Sequence, residues 1–174
     1  MYHPHLLRLI ITLLLTACLS WLTFSYADVD DDDDEEMSGL PKIKLTKAKD
    51  LASLGALASS RKLPILIMFS MDGCDFCERM EQNYLIPMLR SGEYEDKVII
   101  RMVKVDDYGT LRDFDGGSVA SRDLPDRYGA VVTPTLVFLD SYGKELAPRI
   151  IGVGTEGFFA GEIDDAIDLA LRRL

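Results

Sequence analysis

The segment Met71-Asp72-Gly73-Cys74-Asp75-Phe76-Cys77-Glu78 carries two cysteines three positions apart. Thiols at that spacing can clamp a metal, close a structural bridge, or cycle between dithiol and disulfide. A structural zinc site wants four ligands, mostly Cys and His. The two histidines, His3 and His5, stand at the extreme N-terminus, and the third cysteine is Cys18. Carboxylates would have to fill half of the coordination sphere, so no metal site is expected. With His3 and His5 set aside, the lack of histidine in the rest of the chain also excludes Cys–His and Ser–His catalysis there. A bridge between Cys74 and Cys77 is a weak staple, because the gain from closing a loop grows with loop length. Residues at i and i+3 of a helical turn do lie within bridging distance. Such a pair can open and close with little backbone movement, which suits a redox centre.

The neighbouring elements strengthen the redox reading. Ile65-Leu66-Ile67-Met68-Phe69 is an unbroken apolar run, the pattern of a strand buried on both faces. Asp75 to Leu89 has helical spacing, with Met80, Tyr84, Leu85 and Met88 on one face, and Pro87 is expected to kink or shorten it. Cys74 therefore falls where a strand ends and a helix begins. The unpaired N–H groups and positive pole of a helix start favour a thiolate there. Cys77, one turn further in, should be more covered. The division of labour that follows is Cys74 as attacking nucleophile and Cys77 as resolving thiol. Asp72, Asp75 and Glu78 oppose the activation, since nearby negative charge disfavours a thiolate.

Other elements follow from periodicity. Thr46 reads as the N-cap of a helix carrying Leu51, Leu54, Leu57 and Ala58, ended by Pro64. Val98 to Val105 and Thr135 to Leu139 read as buried strands, and Glu145 to Val153 as a hairpin partner after the turn at 140–143. Residues 106–124 are polar and glycine-rich and read as a surface loop beside the substrate groove. Pro125 to Tyr128 fits a short helix ended by Gly129, and Thr155 to Leu171 a closing helix. This order implies an α/β fold: a mixed central sheet with helices on both faces, ending in a β-hairpin and a helix.

Charge bounds the partners. The formal net charge of −10 argues against nucleic acid, which needs a basic surface. Eight of the 29 acids crowd into residues 28–36, so from Met37 onward 18 cations face 21 acids. Residues 28–39 are expected to be an extended acidic linker. Before it, Arg8, the apolar stretch Leu9 to Cys18 and the small-residue pattern Ser25-Tyr26-Ala27 read as an export signal over 1–27. Three fates are open: cleavage after Ala27, lipidation of Cys18 at the lipobox-like Leu15-Thr16-Ala17-Cys18, or retention as an anchor. Each places the domain, expected over 40–174, outside the cytoplasm. The membrane enters only through that N-terminus.

The buried strand ILIMFS, the motif Gly73-Cys74-Asp75-Phe76-Cys77, the segment Tyr128-Gly129-Ala130-Val131-Val132-Thr133-Pro134-Thr135, the hairpin LVFLDSYGKEL and Gly152 together resemble the thioredoxin superfamily. Within it, the chain is most similar to exported bacterial thioredoxin-like reductases of the SoxW type. The resemblance implies a thioredoxin fold and a Cys74–Cys77 disulfide as the redox centre. It also implies a cis peptide at Thr133–Pro134 packed against that disulfide, and a docking site built from Thr133, Pro134, Gly73, Asp75 and Phe76. No diffusible cofactor is implied. A membrane thiol transporter would supply electrons, and exported proteins with disulfides would receive them. Three departures stand out. Gly73 replaces the usual Trp and opens the substrate surface. Asp75-Phe76 replaces the usual Gly-Pro, on which the direction of electron flow depends. Met68 stands where a buried acid often serves the resolving thiol. Two rivals stand beside the reductase: a disulfide oxidase or isomerase, and an adaptor whose cysteines are only structural.

Overall fold

The computed structural model describes residues 43–174. The expected leader (1–27), the linker (28–39), Cys18 and the domain start at Leu40 lie outside these residues.

Four strands form the central sheet in the order β2-β1-β5-β6: β1 (Ile65–Ser70), β2 (Ile99–Lys104), β5 (Thr135–Leu139) and β6 (Glu145–Ile151). β1 runs parallel to β2 and antiparallel to β5, and β5 pairs antiparallel with β6. The sheet is thus mixed, with a C-terminal hairpin, as the element order implies. Every residue of β1 and of β5 is buried. Successive side chains of a strand point to opposite faces, and the two cores obey this. Leu66, Met68, Leu136 and Phe138 enter one cluster, while Ile65, Ile67, Phe69, Val137 and Leu139 enter the other. The helices α2 (Asp75–Met80), α3 (Ile86–Ser91) and α5 (Phe159–Arg172) supply residues to the first cluster. The helices α1 (Leu51–Arg61) and α4 (Leu124–Arg127) supply the second.

Four local readings need correction. The N-cap of α1 is Asp50, whose carboxylate accepts from the Ser53 backbone N–H and hydroxyl at 2.8 Å each. Thr46 cannot cap it, because residues 46–48 lie alongside β2: Met102 N–H donates to Thr46 and Ala48 N–H to Met102. The helix after the cysteines is not uniform. A π-helical turn, Glu81–Leu85, separates α2 from α3, and Pro87 then occupies the first turn of α3. The backbone stays helical from Met80 through Ile86, so the irregular turn falls just before Pro87, where a proline inside a helix is expected to interrupt the bonding. The final helix starts at Phe159 rather than Thr155, after a turn in which Gly157 takes φ +87°.

The fourth correction concerns 106–124, which folds as a small hairpin, β3 (Thr110–Arg112) with β4 (Ser118–Ala120). Asp113 anchors it. Its carboxylate accepts from Phe114 N–H and from both terminal nitrogens of Arg127 on α4. The Arg127 guanidinium, with help from the Phe114 N–H, holds the Asp113 carboxyl below its ordinary value despite partial burial. A depressed folded pKa contributes stability that is full above the unfolded value of 3.8 and is lost as pH falls through the folded one. We expect Asp113→Asn to cost about 1–2 kcal/mol at neutral pH, discounted for the exposed side of Arg127. Urea unfolding as a function of pH should show wild type and variant converging below the ordinary carboxylate range. Parallel curves throughout would contradict the assignment.

Candidate functional site

The site is assembled from the ends of β1 and β5. β1 delivers the chain through Met71-Asp72-Gly73 into α2, and Cys74 is the N-cap of α2 with extended backbone (φ −100°, ψ 100°). Its Sγ accepts from Cys77 N–H at 3.2 Å, and its carbonyl accepts from the N–H groups of Cys77 and Glu78 at 3.0 Å each. A helix start thus turns its free donors on Cys74. Cys74 and Cys77 are joined by a disulfide with Cα atoms 5.2 Å apart. Cys77 is 3% exposed, whereas Cys74 is half-buried, so the sulfur within reach of solvent belongs to Cys74. Gly73 takes φ +67°, and a Cβ placed there would meet nothing within 4 Å. The backbone conformation, rather than crowding, calls for glycine. The space in front of Cys74 is open.

Thr133 and Pro134 stand 59 and 60 positions beyond Cys74 and are brought to it by strand register. β5 pairs antiparallel with β1, Thr135 opposite Phe69, so the residues entering β5 meet those leaving β1. The Thr133–Pro134 peptide is cis. The Thr133 hydroxyl lies 3.6 Å from Cys74 Sγ and its carbonyl oxygen 3.8 Å away. Pro134 is buried, and its carbonyl accepts from Gly152 N–H at 2.8 Å. Asp75 and Phe76, on the first turn of α2, are exposed. The Arg79 guanidinium sits 5.0 Å above the Phe76 ring. Met71 and Val132 add exposed apolar surface beside them. Met68, Met80 and Met102 are core residues.

Several residues of the site escape sequence reasoning. Thr135, fully buried, donates its hydroxyl to the Val132 carbonyl at 2.7 Å and pins the turn before β5. The Asp106 carboxylate accepts from Asp72 N–H at 2.8 Å and ties the segment before Cys74 to the end of β2. Lys104 Nζ reaches the Ser70 hydroxyl at 3.3 Å and the Asp72 carboxylate at 2.9 Å. Hydrogen bonding and charge from Lys104 hold the Asp72 carboxyl below its ordinary value. An open cleft of about 290 Å³ lies beside the disulfide, lined among others by Ser70, Cys74, Cys77, Glu81, Gln82 and Lys104. The one signal in the sequence was Lys104, one of two cations in the run Val98 to Val105. Among the described residues, no group of three or more His, Cys, Asp or Glu side chains could hold a metal ion. No helix among them is long and apolar enough to cross a membrane.

A closable Cys-x-x-Cys bridge at a helix start, facing a cis proline at the head of the neighbouring antiparallel strand, agrees with the family comparison. The model of a thioredoxin-like domain matches residues 54–167. The chain belongs to the thioredoxin-like domain family. No curated protein sequence matches it. Among solved structures it is similar to DsbH oxidoreductase, with 18% identity and a TM-score of 0.53 over 78% of this chain and 96% of that one. It is also similar to mitochondrial thioredoxin 3 of Saccharomyces cerevisiae in its oxidised form, with 22% identity and a TM-score of 0.48 over 71% and 93%. Thioredoxin O2 of Arabidopsis thaliana, also oxidised, gives 19% and 0.47 over 71% and 91%. The likeness to DsbH is one of fold. The thioredoxin-like domain thus carries its Cys74–Cys77 pair as a disulfide on an oxidoreductase fold.

Proposed function

We propose that this thioredoxin-like domain is an exported thiol–disulfide reductase of the SoxW type, acting on disulfides of periplasmic proteins. The observation that carries the reading is the asymmetry of the pair: a half-buried Cys74 sulfur beside Thr133 on open surface, with Cys77 covered behind it. In the reduced protein, the Cys74 thiolate attacks one sulfur of a partner disulfide. A mixed disulfide forms and the first partner thiolate leaves. The Cys77 thiolate then attacks Cys74 Sγ, the Cys74–Cys77 disulfide forms, and the second partner thiolate leaves. Two electrons pass from the dithiol to the partner cystine, whose two thiolates take up protons from water. A second dithiol protein, proposed to be a membrane thiol transporter, returns two electrons and restores the pair.

Thr133 backbone beside Cys74 supports docking of an extended partner segment, and exposed Phe76, Met71 and Val132 support an apolar contact around it. Export is supported by Arg8, the apolar stretch after it and the Ser25-Tyr26-Ala27 pattern, or by the alternative lipobox at Cys18. The test is a dithiol-driven insulin reduction assay together with the equilibrium reduction potential. We expect turnover, and a potential nearer the roughly −270 mV of thioredoxin than the roughly −120 mV of DsbA. A potential at the oxidising end would convert the reading to an oxidase, and an inert protein would reduce it to an adaptor.

A further inference from the structure

Residues 46–50 serve two sheets, and a further cleft opens where those sheets part. Met102 N–H donates to the Thr46 carbonyl at 3.0 Å and Ala48 N–H to the Met102 carbonyl at 2.8 Å, so the segment starts parallel beside β2. By Asp50 it has left β2 for β3: Asp50 bridges to Arg112, whose N–H donates to the Lys49 carbonyl at 3.0 Å. The β3–β4 hairpin is closed at its base by Ser121 N–H on the Gly109 carbonyl, also at 3.0 Å. The divergence leaves a cleft of about 160 Å³, lined by the carboxyl half of β2, by residues 47–49 and by the hairpin. In open α/β sheets, the crevice outside the carboxyl ends of strands that part is where small ligands bind.

The lining combines cations with an apolar side. Met102, Val103 and Leu111 are buried apolar residues. Lys47 and Lys49 are exposed and stand two positions apart on an extended segment, hence on the same side of it. Among the described residues, neither forms an ion pair. The third cation, Lys104, is engaged by Ser70 and Asp72. The acids nearby are engaged as well: Asp107 accepts from Gly109 N–H at 2.8 Å, and Asp50 accepts from Ser53 and faces Arg112. Thr110 and the buried Ser121 bring hydroxyl groups. A lysine ammonium is a compact charge with three rotatable donors, which suits an oxyanion without demanding one fixed geometry. The volume equals that of about five liquid waters, room for a small molecule of about eight non-hydrogen atoms rather than for a peptide segment.

We propose that this cleft binds a small organic anion, its charged group on Lys47 and Lys49 and its short apolar body against Met102, Val103 and Leu111. The site is separate from the redox pair and independent of the direction of electron flow. It gives the 106–124 insertion a role, since Thr110, Leu111 and Ser121 supply one wall. The chain's own acids at 30–36 are a second source of carboxylates close to Lys47 in sequence, but that run brings no apolar side chain.

The experiment titrates the isotope-labelled full-length protein at constant ionic strength and follows its backbone amides. The probes are succinate, its uncharged analogue succinamide, and inorganic phosphate, which has charge without an apolar body. Succinate should shift the amides of Ala48, Leu111 and Ser121 with a Kd of about 1 mM or lower. Succinamide should leave them unmoved, and phosphate should bind at least about fivefold more weakly. Lys47→Gln and Lys49→Gln should each weaken succinate by about fivefold. Both side chains are exposed, so the fold should survive. Lys44→Gln removes an exposed cation of the same segment that does not line the cleft, and binding should be unchanged. Equal weakening by Lys44→Gln would mean diffuse attraction and overturn the site, as would amides unmoved by succinate. Phosphate binding as tightly as succinate would overturn the organic class. Replacing the acids at 30–36 with serine should not alter succinate binding; a marked tightening would assign the cleft to the chain's own carboxylates and overturn the free ligand.

Discussion

Cys74→Ser is expected to lower disulfide-reductase activity by on the order of 10³-fold or more, the scale of removing a group that acts as the nucleophile. Serine at that position keeps the N-cap geometry, because its oxygen can still accept from the Cys77 N–H that now bonds the Cys74 sulfur. The loss would therefore be chemical rather than structural. Cys77→Ser should behave differently. The accessible Cys74 thiolate still attacks, but no second sulfur lies behind it to release the partner. A mixed disulfide should accumulate, seen as a higher band on a non-reducing gel that collapses with dithiothreitol. Mass spectrometry of that band identifies the partner. If Cys74→Ser trapped partners and Cys77→Ser did not, the roles of the two sulfurs would be the reverse of those proposed. The 3% exposure of Cys77 is the physical reason to expect otherwise.

The second large effect concerns stability. Phe138 is fully buried in β5, next to its last residue and opposite Leu66 of β1, and shares a core cluster with Phe159 and Ile163 of α5. Phe138→Ala removes a large apolar side chain where sheet and helix close on each other. The expected cost is about 3–5 kcal/mol, the lost transfer energy plus the cavity left behind. That is a large part of the roughly 5–15 kcal/mol that holds a domain folded. Urea denaturation should show a lower midpoint with an unchanged slope. Thiol reactivity in the folded fraction should stay as in wild type, because Phe138 lies three residues inside β5 from the Thr135 end that meets the site. A loss below about 1 kcal/mol would mean that this face of the sheet is not packed as described.

The main elements were legible because their causes are short-range. A run such as ILIMFS has no polar face to offer water, so it must be a strand covered on both sides, and all six of its residues are buried. Two cysteines at i and i+3 can meet within a single turn, so the redox pair could be located without any fold. The resemblance to thioredoxins added Thr133 and Pro134, which no local pattern places near Cys74.

The boundaries were less legible, because competing partners decide them. Thr46 has the chemistry of an N-cap, but its carbonyl accepts from Met102 of β2, and the cap passes to Asp50. Residues 106–124 look structureless in isolation, yet the Asp113–Arg127 pair and the β3–β4 ladder order them. Register is the part that only the tertiary structure decided. Residue identity along β1 and β2 is compatible with several alignments, and side-chain packing across the whole sheet selects the one that sets Ser70 against Lys104 and Phe69 against Thr135. Those two pairings bring a lysine, a threonine and a proline from distant parts of the chain to a disulfide that the sequence alone had already located.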